Sequence, residues 1–142
     1  MSLESRSGPT RETKVGANPV AGIEVLETVP ATEDWDLYGF ILTIVTAIAV
    51  ADRDVDFVFK DGAGNEFLRI PFATSIPASQ TVTIHLANYE TKPTDTTTNH
   101  YHKLPSRVIE MGPSYTVETV TALIQAADDF GAMTLFIKKF RA

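Results

Sequence analysis

Cysteine is missing from all 142 residues. Its absence excludes a disulfide framework, a thiolate zinc site and a cysteine nucleophile, so stability must come from packing. Positive charge is also in short supply, with twelve Lys and Arg against eighteen Asp and Glu and a formal net charge of -6. That balance opposes a phosphate backbone, and nucleic acid is not an expected direct partner. The longest apolar stretch, about 14 residues, falls short of the roughly 20 that a helix needs to cross a bilayer, so no membrane span is expected. No apolar run follows a basic start at the N-terminus, which predicts no secretory leader and synthesis in a cytoplasm.

Signatures of catalysis are equally scarce. There is no Gly-x-Ser-x-Gly elbow, and none of His85, His100 and His102 sits in a context that marks a general base. Gly62-Ala63-Gly64 lacks the Gly-Lys-Ser/Thr and the helix start of a phosphate loop. Paired carboxylates need not be neighbours in sequence, so a glycosidase-like pair stays open. The expectation is a protein that is not an enzyme and holds no cofactor.

What the chain does contain is the run from Trp35 to Val50, rich in β-branched residues and bracketed by acids. It reads as a long central strand, with a buried helix as the alternative. From Gly22 onward the pattern is period two with turn punctuation. Val55, Phe57 and Phe59 alternate with more polar residues, Asp61 to Asn65 is a hairpin turn, and Pro71 belongs at an edge or a bulge. Val82, Ile84 and Leu86 mark another half-buried strand, and residues 122–129 predict one or two helical turns. The fold class that follows is all-β: a single antiparallel β-sandwich of about eight strands, jelly-roll-like, over residues 22–142. A domain of this length buries about 70% of its unfolded surface, enough for a core without staples.

Residues 1–21 stand apart. Ser, Thr, Gly, Pro and mixed charge dominate, and a segment so poor in apolar side chains cannot offset its ordering entropy alone. The expectation is an extended arm held by a neighbouring subunit through Arg6, Arg11, Lys14, Val15 and Val20. A second candidate contact is the Thr-rich segment 88–103, long for a connection and carrying Tyr89, His100, Tyr101 and His102. His100 and His102 point to one side of an extended backbone, yet two ligands are fewer than a metal site needs, and no metal is expected. The acidic groups Glu33-Asp34-Asp36, Asp52-Asp54-Asp56 and Asp128-Asp129 lack a calcium-loop pattern and read as charged strand ends that discourage edge-to-edge association. Trp35, Tyr38, Tyr89 and Tyr101 suit either a sugar-stacking platform or ordinary half-buried packing.

One ordered set of features carries a family likeness. Trp35 and Leu37 open the long strand, Arg53 precedes Val55 to Phe59, Asp61 to Asn65 turns the chain, Ser79 to Leu86 alternates, and Leu104-Pro105 and Ala127 to Asp129 follow. Together these resemble the small β-sandwich virion structural proteins of tailed bacteriophages, over residues 33–140 and not over the arm. The resemblance implies a particle protein of the head-decoration, cement or head-to-tail kind with no catalytic residues. Its expected partners are the major capsid protein or another virion protein, together with copies of itself, and its expected place is the virion. The competing expectations are a carbohydrate-binding adhesion module using Tyr89 and Tyr101, and a metal-dependent hydrolase.

Overall fold

A computed structural model describes residues 10–72 and 74–141, and all of its regular structure is β. The strands are β1 (Thr10–Val15), β2 (Leu26–Thr28), β3 (Glu33–Val45), β4 (Asp54–Lys60), β5 (Glu66–Pro71), β6 (Thr81–Ala87), β7 (Asn99–Lys103), β8 (Ile109–Met111), β9 (Thr116–Ala122), β10 (Asp129–Phe130) and β11 (Thr134–Arg141). One sheet runs β1-β11-β3-β6-β7, with β8 and β10 also pairing β3; the other runs β2-β9-β4-β5. The expected sandwich is therefore present, with eleven strands among the described residues where about eight were expected. Pairing is antiparallel except between β6 and β7, which run parallel after the 88–98 connection.

Alternation explains how the layers close. Trp35, Leu37, Phe40, Leu42 and Ile44 of β3 are all buried and face Val55, Phe57 and Phe59 of β4 across the core. Phe40 and Phe57 meet with ring centroids 4.7 Å apart. Between Leu37 and Phe40 the period slips by one residue. Leu37 pairs Ile137 and Gly39 pairs Phe136, so Tyr38 is the extra residue of a bulge. Gly39 is needed there because a Cβ would lie 2.1 Å from the Leu86 carbonyl oxygen on β6. The bulge resets the inward face and turns Tyr38 outward, where the Arg11 guanidinium lies 4.8 Å from its ring centroid.

Several expectations are corrected. The central strand stops at Val45 instead of Val50, because Thr46 turns the chain by donating its hydroxyl to the Pro77 carbonyl at 2.7 Å. Residues 123–128 form turns and no helix; Leu123 has φ of +58°, which breaks any helical run. The arm is corrected most. Residues 10–15 form β1, paired along its whole length with β11 of the same chain, so no neighbouring subunit is required to order them. Backbone pairing supplies what apolar content does not, and Glu12 adds an ion pair to Lys139 at 3.3 Å. The hairpin at Asp61 is as expected: the Asp61 carboxylate accepts the Ala63 and Asn65 amides at 2.9 Å each. Pro71 likewise closes β5, an edge strand.

Candidate functional site

The most heavily built irregular region lies at one end of the sandwich, where Arg53 enters β4. Its side chain and that of Asp128 are both 0% exposed. Arg53 Nε donates to Asp128 Oδ2 at 2.9 Å and Nη2 donates to Oδ1 at 3.0 Å, a two-pronged contact suited to a planar guanidinium. The remaining guanidinium donors reach the carbonyls of Ala51 and Ala49. Asp128 in turn accepts the amides of Ala47 and Gln125, each at 2.7 Å. Burial pushes the Asp128 carboxyl up, but hydrogen bonds from Arg53, Ala47 and Gln125 together with the Arg53 charge outweigh it, and the group is held below the usual carboxylate range. The expectation that Asp128 is a surface acid at a strand end is thus wrong; it is internal and paired.

This pair fixes backbone that has no ladder of its own. Residues 46–52 wrap the guanidinium, residues 123–128 wrap the carboxylate, and the Asp128 carbonyl accepts the Gly22 amide at 2.7 Å to tie in a third loop. Outward from this knot point large apolar side chains: Ile48 at 87% exposure, Val50 at 97% and Leu123 at 63%. Val20 and Ile23, also exposed, flank Gly22 on the third loop. Rigid backbone displaying solvated apolar residues is a feature that folding alone does not require.

The second region is β7 and the connection before it. Asn99 to Lys103 is a strand, so the open loop is shorter than expected, residues 88–98. Strand alternation sends His100 and His102 to one side, as expected, but that side is inward. His100 is 6% exposed and stacks on Phe72 with centroids 5.5 Å apart, while His102 approaches the same ring at 5.3 Å. Burial pulls the His102 pKa down. Tyr101 faces outward and stacks on His85 at 4.8 Å, with Tyr89 edge-on at 6.0 Å. One face of Tyr101 is therefore covered by His85, and Asn99 Oδ1 accepts from His85 Nε2 at 3.0 Å. The loop is pinned by Asp95, which accepts the Tyr101 amide at 2.8 Å and the Lys92 ammonium at 3.0 Å.

Of the residues singled out on the arm, Val20 stands beside the tip, next to the loop that Gly22 ties to Asp128, while those on β1 do not gather with either region. Arg11 covers Tyr38, Lys14 lies 5.6 Å from the Trp35 ring centroid, and Val15 is 65% exposed at the end of β1. Arg6 lies outside the described residues. Among the described residues no three His, Cys, Asp or Glu side chains lie close enough to hold a metal ion. No helix of the described residues is long and apolar enough to cross a membrane. Sequence reasoning missed the Arg53–Asp128 pair because 75 residues separate its members. The available signal was an arginine in an otherwise apolar and acidic run, which needs an acid if it is buried.

No family model matches the sequence, and no curated protein matches it. A solved structure of infectious bursal disease virus Gt strain contains a chain similar to this one over 94% of its residues, at 11% identity and a TM-score of 0.36. The matched part is 30% of that chain's length.

Proposed function

We propose that this chain is a non-enzymatic structural protein of a virus particle, of the capsid decoration or cement kind found in tailed bacteriophages, present in many copies. The observation that carries the reading is the apolar tip: Ile48 and Val50, 87% and 97% exposed, on loops locked by a buried Arg53–Asp128 pair. A preformed apolar knob loses little conformational entropy when it enters a neighbour's pocket, which is how a small contact gains affinity. The likeness of residues 33–140 to phage virion proteins supports the same role, and in it the contacted surface belongs to the major capsid protein or another virion protein. β1 itself is part of the sandwich, so the arm enters this reading only through its residues outside β1.

The test is direct. Virions purified from the phage that encodes the chain contain it in stoichiometric amount. The double substitution Ile48→Asp and Val50→Asp leaves the purified protein folded and lowers its occupancy on those particles by about tenfold or more. Virions that lack the chain, or full occupancy by the double variant, overturn the reading.

A further inference from the structure

The two sheets present different outer faces. On β2-β9-β4-β5 the outward side chains form ion pairs, Lys60 with Glu118 at 2.6 Å and Arg69 with Asp56 at 2.7 Å, as a solvated face does. The sheet β1-β11-β3-β6-β7 has almost no charge at its centre. Register aligns Val15, Thr134, Ile41, His85 and Tyr101 in one outward row across its five strands. In the next row the exposed Phe136 of β11 and Ala87 of β6 flank Gly39. Across these two rows and the one through Thr43 and Thr83, the single position with an ammonium, guanidinium or carboxylate is Lys103, at the β7 edge.

The polar groups of this face are largely satisfied within it. The Thr43 and Thr83 hydroxyls bond each other at 2.9 Å, and His85 Nε2 bonds Asn99 Oδ1 at 3.0 Å. An uncharged face whose hydrogen bonds are internal loses little when water leaves it. Charge begins one row further along β3, and there it is split. Asp36 has Lys138 of β11 on one side, with Arg11 beyond it, and Glu110 of β8 on the other.

We propose that two copies of this chain associate face to face through the β1-β11-β3-β6-β7 sheet, about a two-fold axis running along β3. The split charge selects a second copy as the occupant. Rotation about that axis exchanges the β11 side with the side of β6 and β8, so Lys138 of each copy meets Glu110 of the other in two symmetric ion pairs. The same rotation sets Phe136 over the small Ala87 of the other copy, and Val15 over Tyr101. Sheets packed face to face keep their strands within about 30° of one another, as this axis requires. Chains of net charge -6 repel, and an uncharged face is where two of them meet with least opposition. Five strands about 4.8 Å apart and four rows about 7 Å apart give a footprint of about 600 Å² per copy, at the lower end of specific interfaces. None of these side chains belongs to the apolar tip, so the association stands or falls independently of the role proposed above.

The experiment is sedimentation velocity of the full chain from about 1 to 200 µM, a range that captures weak association, with circular dichroism to confirm that each variant is folded. The parent forms a dimer whose population rises across this range. Phe136→Asp, at an exposed position, weakens it by about tenfold or more. Glu110→Lys alone and Lys138→Glu alone also weaken it, since each sets like charges against one another. Mixed in equal amounts, these two charge-reversed chains form a heterodimer, because opposite charges then face each other at both pairs. A parent that stays monomeric at 200 µM overturns the proposal, as does a dimer that Phe136→Asp leaves unchanged. A mixture of the two charge-reversed chains that is no more dimeric than either alone overturns it equally.

Discussion

The loops around Arg53 and the loop before β7 both hold irregular backbone in place, and they do so with opposite chemistry. At the tip, one guanidinium and one carboxylate, both fully buried, satisfy the backbone groups of Ala47, Ala49, Ala51 and Gln125. Before β7, the work is divided among exposed and half-buried side chains: Asp95 on the Tyr101 amide, Thr96 on the Asn99 amide, and a solvent-accessible Lys92–Asp95 pair. Removing one member of the first group strands every other member in a dry interior. Removing one member of the second lets water take its place. The tip should therefore behave as a single cooperative unit, and the loop before β7 as a set of separable contacts.

The largest effect expected is at Arg53. Arg53→Met leaves Asp128 as a buried, unpaired charge and several carbonyls without donors, and should cost about 3 to 5 kcal/mol, measured by denaturant unfolding. A buried ion pair can often be replaced by apolar residues with little loss. Here the double variant Arg53→Met with Asp128→Leu should fail to recover, because the pair also serves the backbone of two loops. Recovery to near the parent stability would show that the loops stand without the pair, and the contrast between the two regions would disappear.

Acid gives the next largest effect and the sign is fixed by the Asp128 shift. A carboxyl held below its usual range stabilises the fold fully above its unfolded value of about 3.9, and that contribution is lost as pH falls through the lower folded value. The stability gap between the parent and Asp128→Asn should be widest above about pH 4 and narrow below it. A gap that does not change with pH would place the role of Asp128 in shape and not in charge.

Much of the layer structure was legible in the residues. Period-two alternation in Val55 to Phe59 and Val82 to Leu86 sufficed for β4 and β6, and the Asp61 turn for the hairpin. Two kinds of information were not. The sequence of β1, Thr-Arg-Glu-Thr-Lys-Val, has one apolar residue, so its order comes from backbone pairing with β11 more than 100 positions away and leaves little trace in composition. The boundary at Val45 was equally hidden. Val45, Ile48 and Val50 continue a β-branched pattern, yet the chain leaves the sheet there because Thr46 bonds Pro77 and Ala47 bonds Asp128. Apolar periodicity reports what suits a strand, and tertiary hydrogen bonds decide where the strand stops. The same limit applied to His100 and Tyr101: alternation separated their faces, but which face was inward depended on the parallel pairing of β7 with β6.

The smallest effect expected lies before β7. Thr96→Val removes the acceptor for the Asn99 amide and the hydroxyl that caps the start of the strand, with little change of shape. Thr96 is exposed, so water can replace the lost partner, and the cost should stay near about 1 kcal/mol. The change should also stay local. Amide hydrogen exchange at Asn99 and Tyr101 should quicken, while the exchange of Ala47 and Gln125 at the tip remains as in the parent. A loss of stability comparable to that of Arg53→Met, or quickened exchange at the tip, would mean that the two regions unfold together. In that case the parallel strand β7, and not the buried ion pair alone, anchors the sandwich as a whole.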